Sequence, residues 1–332
     1  MLDNYGREID YLRISITDKC NLRCKYCMPE DIESLPMKEI LSYEEILYIA
    51  ETAAQLGIKK IKITGGEPLI RRGCCKLISM LKGIRGIWEV TITTNGVMLD
   101  DNISSLCEAG TDGINISIDT LDKDRYRQIT GYDELERVLK GLENAVRSGI
   151  HVKVNAVSVG RAEGPGGFDM SDAYSLAELA RDRAIDVRFI EMMPIGYGKD
   201  FPAIGHDVLI PALKKRYKGM TEDGSMHGNG PAVYYRIPGF KGSIGFISAV
   251  HGIFCSSCNR IRLTTQGYLK SCLCYDTGAD LKSIIRSGLP EEEISNRLRS
   301  AIQNAILCKP RSHSFEDVKR ISEKHVMSKI GG

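Results

Sequence analysis

Short apolar runs alternate with longer amphipathic stretches over the first 190 or so residues of the chain. Six of these runs have the length and the β-branched content of strands. The predicted strands are 12–16, 60–64, 89–93, 113–118, 151–157 and 186–191. Helical periodicity fills the gaps at 43–56, 102–109, 133–148 and 171–183. Strands that alternate with helices in this way predict a parallel sheet.

Six strand–helix units are fewer than the eight of a complete barrel. The pattern therefore predicts an α/β protein with a partial, open (β/α)6 barrel, although an ordinary doubly wound sheet fits the periodicity equally well. In both architectures the strand ends face one shared cleft, and that cleft is where the chemistry is expected.

The pattern changes after residue 194, where glycine and proline become frequent through 196–239. Short runs at 232–237, 243–249, 261–264 and 267–269 predict an antiparallel layer, and 281–288 and 291–308 predict helices. We therefore expect one unit over 1–194 and a second over 195–332. The Gly-rich segment 160–167 predicts a flexible loop at the rim.

Charge and hydropathy exclude several classes of function. The 332 residues include 45 Lys and Arg against 43 Asp and Glu, so the formal net charge is only +2. That balance argues against bulk electrostatic binding to DNA or to an acidic membrane. No run resembles the roughly 20 apolar residues of a membrane span, and the N-terminus lacks the features of a signal peptide. The expectation is a soluble, cytoplasmic protein.

Seven of the eleven cysteines fall into two groups, and grouping of this kind indicates metal chemistry in a cytoplasmic protein. Cys20, Cys24 and Cys27 form a C-x3-C-x2-C motif directly after the first predicted strand. Three thiolates on one loop can hold three irons of a [4Fe–4S] cluster and leave the fourth iron open to a ligand. A structural zinc loop is the alternative, and it needs a fourth nearby ligand.

A second group follows the spacing C-x2-C-x13-C-x-C at Cys255, Cys258, Cys272 and Cys274. This spacing fits a four-cysteine zinc ribbon, or a second three-cysteine iron–sulfur cluster with Cys274 as a bystander. Two arginines lie beside it. Arg260 and Arg262 alternate on one predicted strand, so both project from the same face and can clamp phosphates. A solvated strand face is the alternative for these arginines.

The motif Gly65-Gly66-Glu67-Pro68 follows the second predicted strand. Paired glycines let a ligand approach the backbone, and the glutamate can receive an ammonium group. Together with Tyr26 just before the third cysteine, this motif resembles the radical S-adenosylmethionine superfamily. The whole chain resembles the GTP 3′,8-cyclase family within it. The matching stretches include 63–69, 114–122, 187–196, 254–273 and the terminal Gly331-Gly332.

This resemblance implies a lyase that converts GTP to (8S)-3′,8-cyclo-7,8-dihydroguanosine 5′-triphosphate, the first step of molybdenum cofactor biosynthesis. It implies two [4Fe–4S] clusters, held by Cys20, Cys24 and Cys27 and by Cys255, Cys258 and Cys272. It places S-adenosylmethionine at Tyr26, Gly66, Glu67, Ser117 and Met193. It places GTP at Arg13, Lys62, Thr93, Lys153, Arg260 and Arg262, and lysine at position 62 departs from the arginine common in the family. It gives Arg260, Arg262, Gly331 and Gly332 a catalytic role, with the glycine tail inserted toward the active site.

The resemblance also implies partners: a low-potential electron donor of the flavodoxin or ferredoxin type, cyclic pyranopterin monophosphate synthase as acceptor of the product, and a homodimer as one oligomeric state. Two other functions remain open. A radical peptide maturase would carry more cysteines after Cys274 than the single Cys308 found here. A zinc or redox adaptor would explain neither the GGEP motif nor the paired arginines.

Overall fold

The computed structural model describes residues 1–28, 34–160, 170–225, 227–252 and 254–331. Its strands form one open sheet in the order β12-β11-β10-β1-β2-β3-β4-β5-β6-β9-β8-β7. The strands are β1 (Tyr11–Ser15), β2 (Lys60–Thr64), β3 (Glu89–Thr94), β4 (Gly113–Ser117), β5 (His151–Ser158), β6 (Asp186–Glu191), β7 (Thr221–Asp223), β8 (Val233–Arg236), β9 (Ser243–Ile247), β10 (Arg260–Leu263), β11 (Tyr268–Lys270) and β12 (Gly278–Asp280).

The helices each bury some of their apolar side chains. They are α1 (Tyr43–Gln55), α2 (Cys74–Lys82), α3 (Leu99–Glu108), α4 (Lys123–Thr130), α5 (Leu135–Arg147), α6 (Met170–Glu178), α7 (His206–Arg216), α8 (Leu281–Ile285), α9 (Glu291–Leu307) and α10 (Met327–Ile330). Ser42 and Glu45 form a capping box that fixes the start of α1. Such reciprocal bonds satisfy two backbone donors that a helix end leaves free.

The six predicted N-terminal strands are confirmed to within one residue at each end, and β1 to β6 run parallel. This is the partial barrel rather than an ordinary doubly wound sheet. The helix predicted over 171–183 instead ends at Glu178. The backbone carbonyls of Ala180 and Arg181 accept hydrogen bonds from the N–H groups of Gly242 and Lys241, so the chain there binds a neighbouring segment. Sequence reasoning missed α2, α4 and α7.

The antiparallel strands predicted after residue 194 are confirmed, but two strands of this region also join the barrel sheet in parallel. β10 pairs in parallel with β1, and β9 pairs in parallel with β6, so both extend the barrel sheet. Only the outer pairs, β10 with β11, β11 with β12, β7 with β8 and β8 with β9, are antiparallel. The parallel partners of β9 and β10 are β6 and β1, which lie some 60 and 250 residues away in sequence. No local pattern reveals a pairing over such a separation.

The sheet runs without a break across the predicted boundary at residue 194, and that boundary stays a prediction. Of the predicted rim loop, residues 161–167 lie outside the described part of the chain. Within the described ranges, no helix combines the length and the apolar character needed to cross a bilayer.

Candidate active site

A cavity of about 310 Å³ runs down the open barrel. All six predicted cysteine ligands line it: Cys20, Cys24, Cys27, Cys255, Cys258 and Cys272. Eight other predicted site residues line it as well: Arg13, Tyr26, Gly66, Thr93, Ser117, Met193, Arg260 and Arg262. Lys62, Glu67, Lys153 and Gly331 lie outside its lining. The two cysteine groups, far apart in sequence, therefore share one space.

The two cysteine groups lie toward opposite ends of the same strand pair. Cys20 follows the end of β1, whereas Cys258 comes just before the start of β10. Because β1 and β10 are parallel, these positions are separated along the strand direction. A five-residue strand is about 17 Å long, which leaves room for a ligand between the groups.

Backbone and amide donors surround the sulfurs of the first group. Leu22 N and Asn95 Nδ2 lie 3.4 and 3.6 Å from Cys20 Sγ. Burial raises the pKa of Cys24 well above its usual value and raises that of Cys27 to about 12. Thiolates so far from water need a strong positive charge to stabilise them, which a bound iron centre supplies.

The second group lies beside cationic side chains. His313 N donates to Cys255 Sγ at 3.3 Å. Burial raises the pKa of Cys258, but Lys309 and Arg260 outweigh it and lower the value to about 7. Lys309 is held in place because its Nζ also donates to the carbonyl oxygens of Arg260 and Ser271, at 2.9 and 2.7 Å. Sequence reasoning missed Lys309.

The sulfur spacing fits clusters better than single ions. In the described part of the chain, the only His, Cys, Asp or Glu ligand atoms that lie within 4.8 Å of one another in a group of three or more belong to Asp276, Glu323 and His325. Neither cysteine trio is that compact, whereas tetrahedral zinc at 2.3 Å from each sulfur would bring sulfurs to about 3.8 Å. Cys274 is fully buried outside the cavity and accepts from Ser314 N at 3.4 Å. The geometry therefore favours two clusters with three cysteines each.

The GGEP turn is held by close backbone packing. A Cβ on Gly65 would lie 2.5 Å from Thr17 O, and one on Gly66 would lie 2.2 Å from Lys19 O. Only glycine fits at these two positions, and Gly66 also faces the cavity. The turn thus brings backbone, rather than side chain, to the ligand space.

Glu67 is fully buried, and its carboxylate accepts from Leu69 N, Thr94 Oγ1 and Asn95 N at 3.0, 2.8 and 2.6 Å. Burial raises the pKa of Glu67 to about 7 despite these donors. In this structure Glu67 holds the turn against the end of β3, and its contact with an ammonium group stays a prediction.

Tyr26 is oriented by a residue that sequence reasoning missed. Its hydroxyl donates to Asp119 Oδ2 at 2.6 Å, while Val157 N donates to Asp119 Oδ1 at 2.8 Å. Burial raises the pKa of Asp119 to about 6. Asp119 comes two residues after Ser117, where β4 ends. An acidic residue just after a strand end is the sequence feature that could have identified Asp119 as a site residue.

Three cations lie side by side across the sheet. In the strand register, Arg262 of β10 is opposite Arg13 of β1, and Arg13 is opposite Lys62 of β2. Burial lowers the pKa of all three side chains. The pKa values of Lys62 and Arg262 fall well below their usual values. Like charges on adjacent strands destabilise a sheet. Of the three, Arg13 and Arg262 line the cavity, so an anionic ligand there would offset part of this repulsion.

Other basic residues extend this row. Arg188, which sequence reasoning missed, is buried on β6, and its Nε donates to Asn155 Oδ1 at 2.9 Å. Its charge also lowers the pKa of Lys62 and Arg13. Lys153 is buried on β5, where its ammonium lies 2.9 Å from Asp186 and donates to the carbonyl of His227.

The C-terminal segment reaches the cation row. Arg262 Nη1 donates to the carbonyl oxygen of Gly331 at 2.7 Å. Gly331 is buried with a φ of +74°, and a Cβ there would lie 3.1 Å from Ser15 Cβ and 3.2 Å from Thr64 Cγ2. A side chain at this position would be strained and crowded. Gly332 lies outside the described residues.

Comparison with known proteins defines the class. Residues 14–163 match the profile of the Radical SAM superfamily, and residues 185–315 match the profile described as Molybdenum Cofactor Synthesis C. Among solved structures, Streptococcus suis SuiB bound to S-adenosylmethionine is similar in fold, with a TM-score of 0.59 and 15% identity over 80% of this chain and 61% of that one. The protein is a radical S-adenosylmethionine enzyme that uses iron–sulfur clusters.

Full-length relatives narrow the class further. The chain is 42% identical over 333 residues to GTP 3′,8-cyclase of Clostridium perfringens (strain 13 / Type A), with all of both chains covered. It is 41% identical over 338 residues to GTP 3′,8-cyclase of Alkaliphilus oremlandii, again with both chains fully covered. The chain belongs to the GTP 3′,8-cyclase family.

The electrostatics of the second cysteine group can be tested on cluster-free protein. Because the pKa of Cys258 is about 7 and burial raises that of Cys255, iodoacetamide at pH 7.5 should label Cys258 before Cys255. The labelling rate should rise with pH through about 7. Lys309→Met should move this midpoint upward, since the nearby ammonium is lost. Mass-spectrometric peptide mapping measures both effects, and equal labelling of Cys255 and Cys258 would contradict the geometry.

Proposed function

We propose that this enzyme converts GTP to (8S)-3′,8-cyclo-7,8-dihydroguanosine 5′-triphosphate, the first step of molybdenum cofactor biosynthesis. One observation carries the proposal: a single cavity joins two cysteine trios with buried arginines between them. The full-length likeness to GTP 3′,8-cyclases supports the same reaction. In this reading Cys20, Cys24 and Cys27 hold the first cluster, and Cys255, Cys258 and Cys272 hold the second.

When bound, the first cluster and S-adenosylmethionine would supply the radical chemistry that removes the 3′ hydrogen of GTP; C3′ would then bond to C8, and one further electron and one proton would complete the product. The chain's own residues arrange the reactants. Gly66 offers backbone without a side chain, and Ser117 and Met193 line the cavity beside it. Tyr26, held by Asp119, would fix the adenosyl side of the cofactor. Aromatic and aliphatic walls would keep water from the radical.

The cation row would hold the triphosphate. Arg262 and Arg13 line the cavity on adjacent strands, so that phosphate oxygens can meet both guanidinium groups, and Lys62 on the next strand, outside the lining, would add its charge. Arg260 lies over the Phe254 ring at 5.4 Å, which fixes the direction of its guanidinium. Thr93 would contact the nucleotide from β3. Lys153 is paired with Asp186, so it would contribute to triphosphate binding only by sharing its charge between Asp186 and a phosphate.

Cys255, Cys258 and Cys272 would hold the second cluster in the cavity, where it would supply a site for the guanine base. Gly331 and Gly332 would keep the catalytic role that the family likeness implies, and the Arg262 bond to Gly331 links the tail to the phosphate site. The remaining partners follow the family: a low-potential flavodoxin or ferredoxin as electron donor and cyclic pyranopterin monophosphate synthase as acceptor of the product. A cytoplasmic location and a homodimer stay predictions.

The reaction itself can be tested with GTP that carries deuterium at C3′. Anaerobic protein with S-adenosylmethionine and a one-electron reductant should form 5′-deoxyadenosine that contains the deuterium, together with a cyclised isomer of GTP. Liquid chromatography with mass spectrometry detects both products. Formation of 5′-deoxyadenosine without deuterium, and with no cyclised product, would refute the proposed substrate.

The second cluster can be tested with a matched pair of variants. Two [4Fe–4S] clusters correspond to about eight irons per chain. Cys272→Ala removes a cavity-lining sulfur and should lower the iron content to about four, whereas Cys274→Ala removes a buried sulfur outside the cavity and should leave about eight. Iron and sulfide analysis of anaerobic protein measures this. Equal iron in the two variants, or stoichiometric zinc, would contradict the assignment.

The arginines can be tested by GTP binding. Loss of one hydrogen bond to a charged group costs roughly 1.5–3 kcal/mol, so Arg260→Ala and Arg262→Ala should each weaken GTP binding about 10- to 100-fold. Both clusters should stay assembled because no cysteine changes. Arg297→Ala, which breaks an exposed pair with Glu293 on α9, is the control and should bind GTP normally. Equilibrium dialysis gives the affinities, and normal binding by the double variant would leave these arginines without a role.

A further inference from the structure

Three cations on the inward face of the sheet lie beyond the lining of the central cavity. Each comes two residues before a residue that does line it, and the pairs are Lys62 with Thr64, Lys153 with Asn155 and Arg188 with Ile190. Because side chains two apart on a strand share a face, these cations continue the wall toward the amino-terminal ends of their strands. Lys153 and Arg188 are nevertheless buried, so another part of the chain covers them.

The turn 227–230, between β7 and β8, lies against two of these cations. A Cβ on Gly228 would lie 3.4 Å from Lys153 Nζ, and one on Gly230 would lie 3.8 Å from Arg188 Nη1. Both glycines are themselves exposed to solvent. At these two places the turn is therefore a single layer of backbone between solvent and a buried cation.

The turn is tied to the rim of the barrel by two side chains. His227 Nδ1 lies 3.0 Å from Asp186 Oδ1. Asn229 Nδ2 donates to Glu89 Oε2 at 2.7 Å, and Asn229 Oδ1 accepts from Lys60 Nζ. Asp186, Glu89 and Lys60 are the first residues of β6, β3 and β2. Because β2 to β6 are parallel, the turn crosses the amino-terminal end of the barrel.

A second pocket, of about 500 Å³, adjoins the turn, and we call it the outer pocket. His227 and Asp186 line it together with the basic side chains of Arg236 and Lys241. The same two residues bind Lys153 from its other side. Asp186 Oδ2 lies 2.9 Å from Lys153 Nζ, and the carbonyl oxygen of His227 accepts a hydrogen bond from it. His227 and Asp186 therefore lie between the outer pocket and the buried ammonium.

We propose that the turn 227–230 is a gate between the outer pocket and the cation row, and that the phosphate end of a nucleotide opens it. The inference rests on the phosphate site of the proposed function. An anionic phosphate oxygen binds an ammonium group more strongly than a neutral carbonyl oxygen does. A polyphosphate at Lys153 therefore displaces the carbonyl of His227, and the turn moves outward without any covalent change. Opening gives the phosphates a route to solvent at the end of the barrel opposite Cys20.

The gate is tested first by chemical modification of Lys153. Anaerobic holoenzyme without nucleotide is treated with limiting acetic anhydride, and peptide mapping gives the acetylation rate at Lys153 relative to Lys140, whose side chain is 70% exposed. His227→Ala and Asn229→Ala each remove hydrogen bonds that hold the turn, so the relative rate should rise about three- to tenfold. His325→Ala removes a histidine–carboxylate contact in the C-terminal segment and should leave the rate unchanged.

The opening by phosphate is tested with inorganic tripolyphosphate on the same holoenzyme. If the closed turn competes with the anion for Lys153, a weakened turn should bind the anion more tightly. His227→Ala and Asn229→Ala should therefore lower the dissociation constant about three- to tenfold. Lys153→Met removes the shared cation and should raise it. Isothermal titration calorimetry measures the four affinities, with the unmodified protein as reference.

Unchanged labelling of Lys153 in both turn variants would overturn the gate. Faster labelling with unchanged or weaker tripolyphosphate binding would overturn the role of phosphate, and so would an absence of binding by every variant. If His227→Ala does not fold, Asn229→Ala decides both measurements alone. Neither measurement uses GTP or turnover, so a failure of the proposed cyclase reaction would appear in the deuterium experiment and not here.

Discussion

The row of Arg262, Arg13 and Lys62 across three parallel strands is the constraint on which the rest of the site depends. Neighbouring like charges at about 5 Å repel by about 3 kcal/mol at an effective dielectric constant of 20. The opposite faces of the same strands carry fully buried side chains such as Leu12, Ile61 and Leu263. Burial of each such side chain stabilises the folded state by about 1.5–3 kcal/mol. The apolar face therefore holds the strands together despite the repulsion between the cations on the other face.

The same strand pairing arranges the cysteine groups. β10 lies beside β1 in parallel, so the loop after β1 and the turn before β10 are at opposite ends of one strand pair. Three cysteines at one end and three at the other enclose a space that four cationic side chains help to line: Arg13, Arg260, Arg262 and Lys309. A ligand that must present a polyanion, a ribose and a base to different partners fits such a space, because each part meets a separate chemical environment.

The C-terminal segment closes this arrangement by joining parts that the sheet keeps apart. One of its bonds uses a backbone group, since the carbonyl oxygen of Gly331 accepts from Arg262 Nη1. Backbone groups need no bulky side chain, which explains why glycine suits the crowded place between Ser15 and Thr64. The buried Lys270–Glu323 pair gives this otherwise short-range docking a specific position.

The sequence by itself determined the local features of this protein. Strand periodicity located β1 to β6, cysteine spacing identified two ligand groups, and the alternation of Arg260 and Arg262 placed both on one strand. These features depend on residues close together in the chain. Tertiary structure alone decided that β9 and β10 extend the barrel, that Arg13 meets Arg262 across 249 residues, and that Arg188, Asp119 and Lys309 belong to the site. Such contacts arise from register between distant strands, and a local pattern of hydrophobic and polar residues carries no information about which distant strand will be the neighbour.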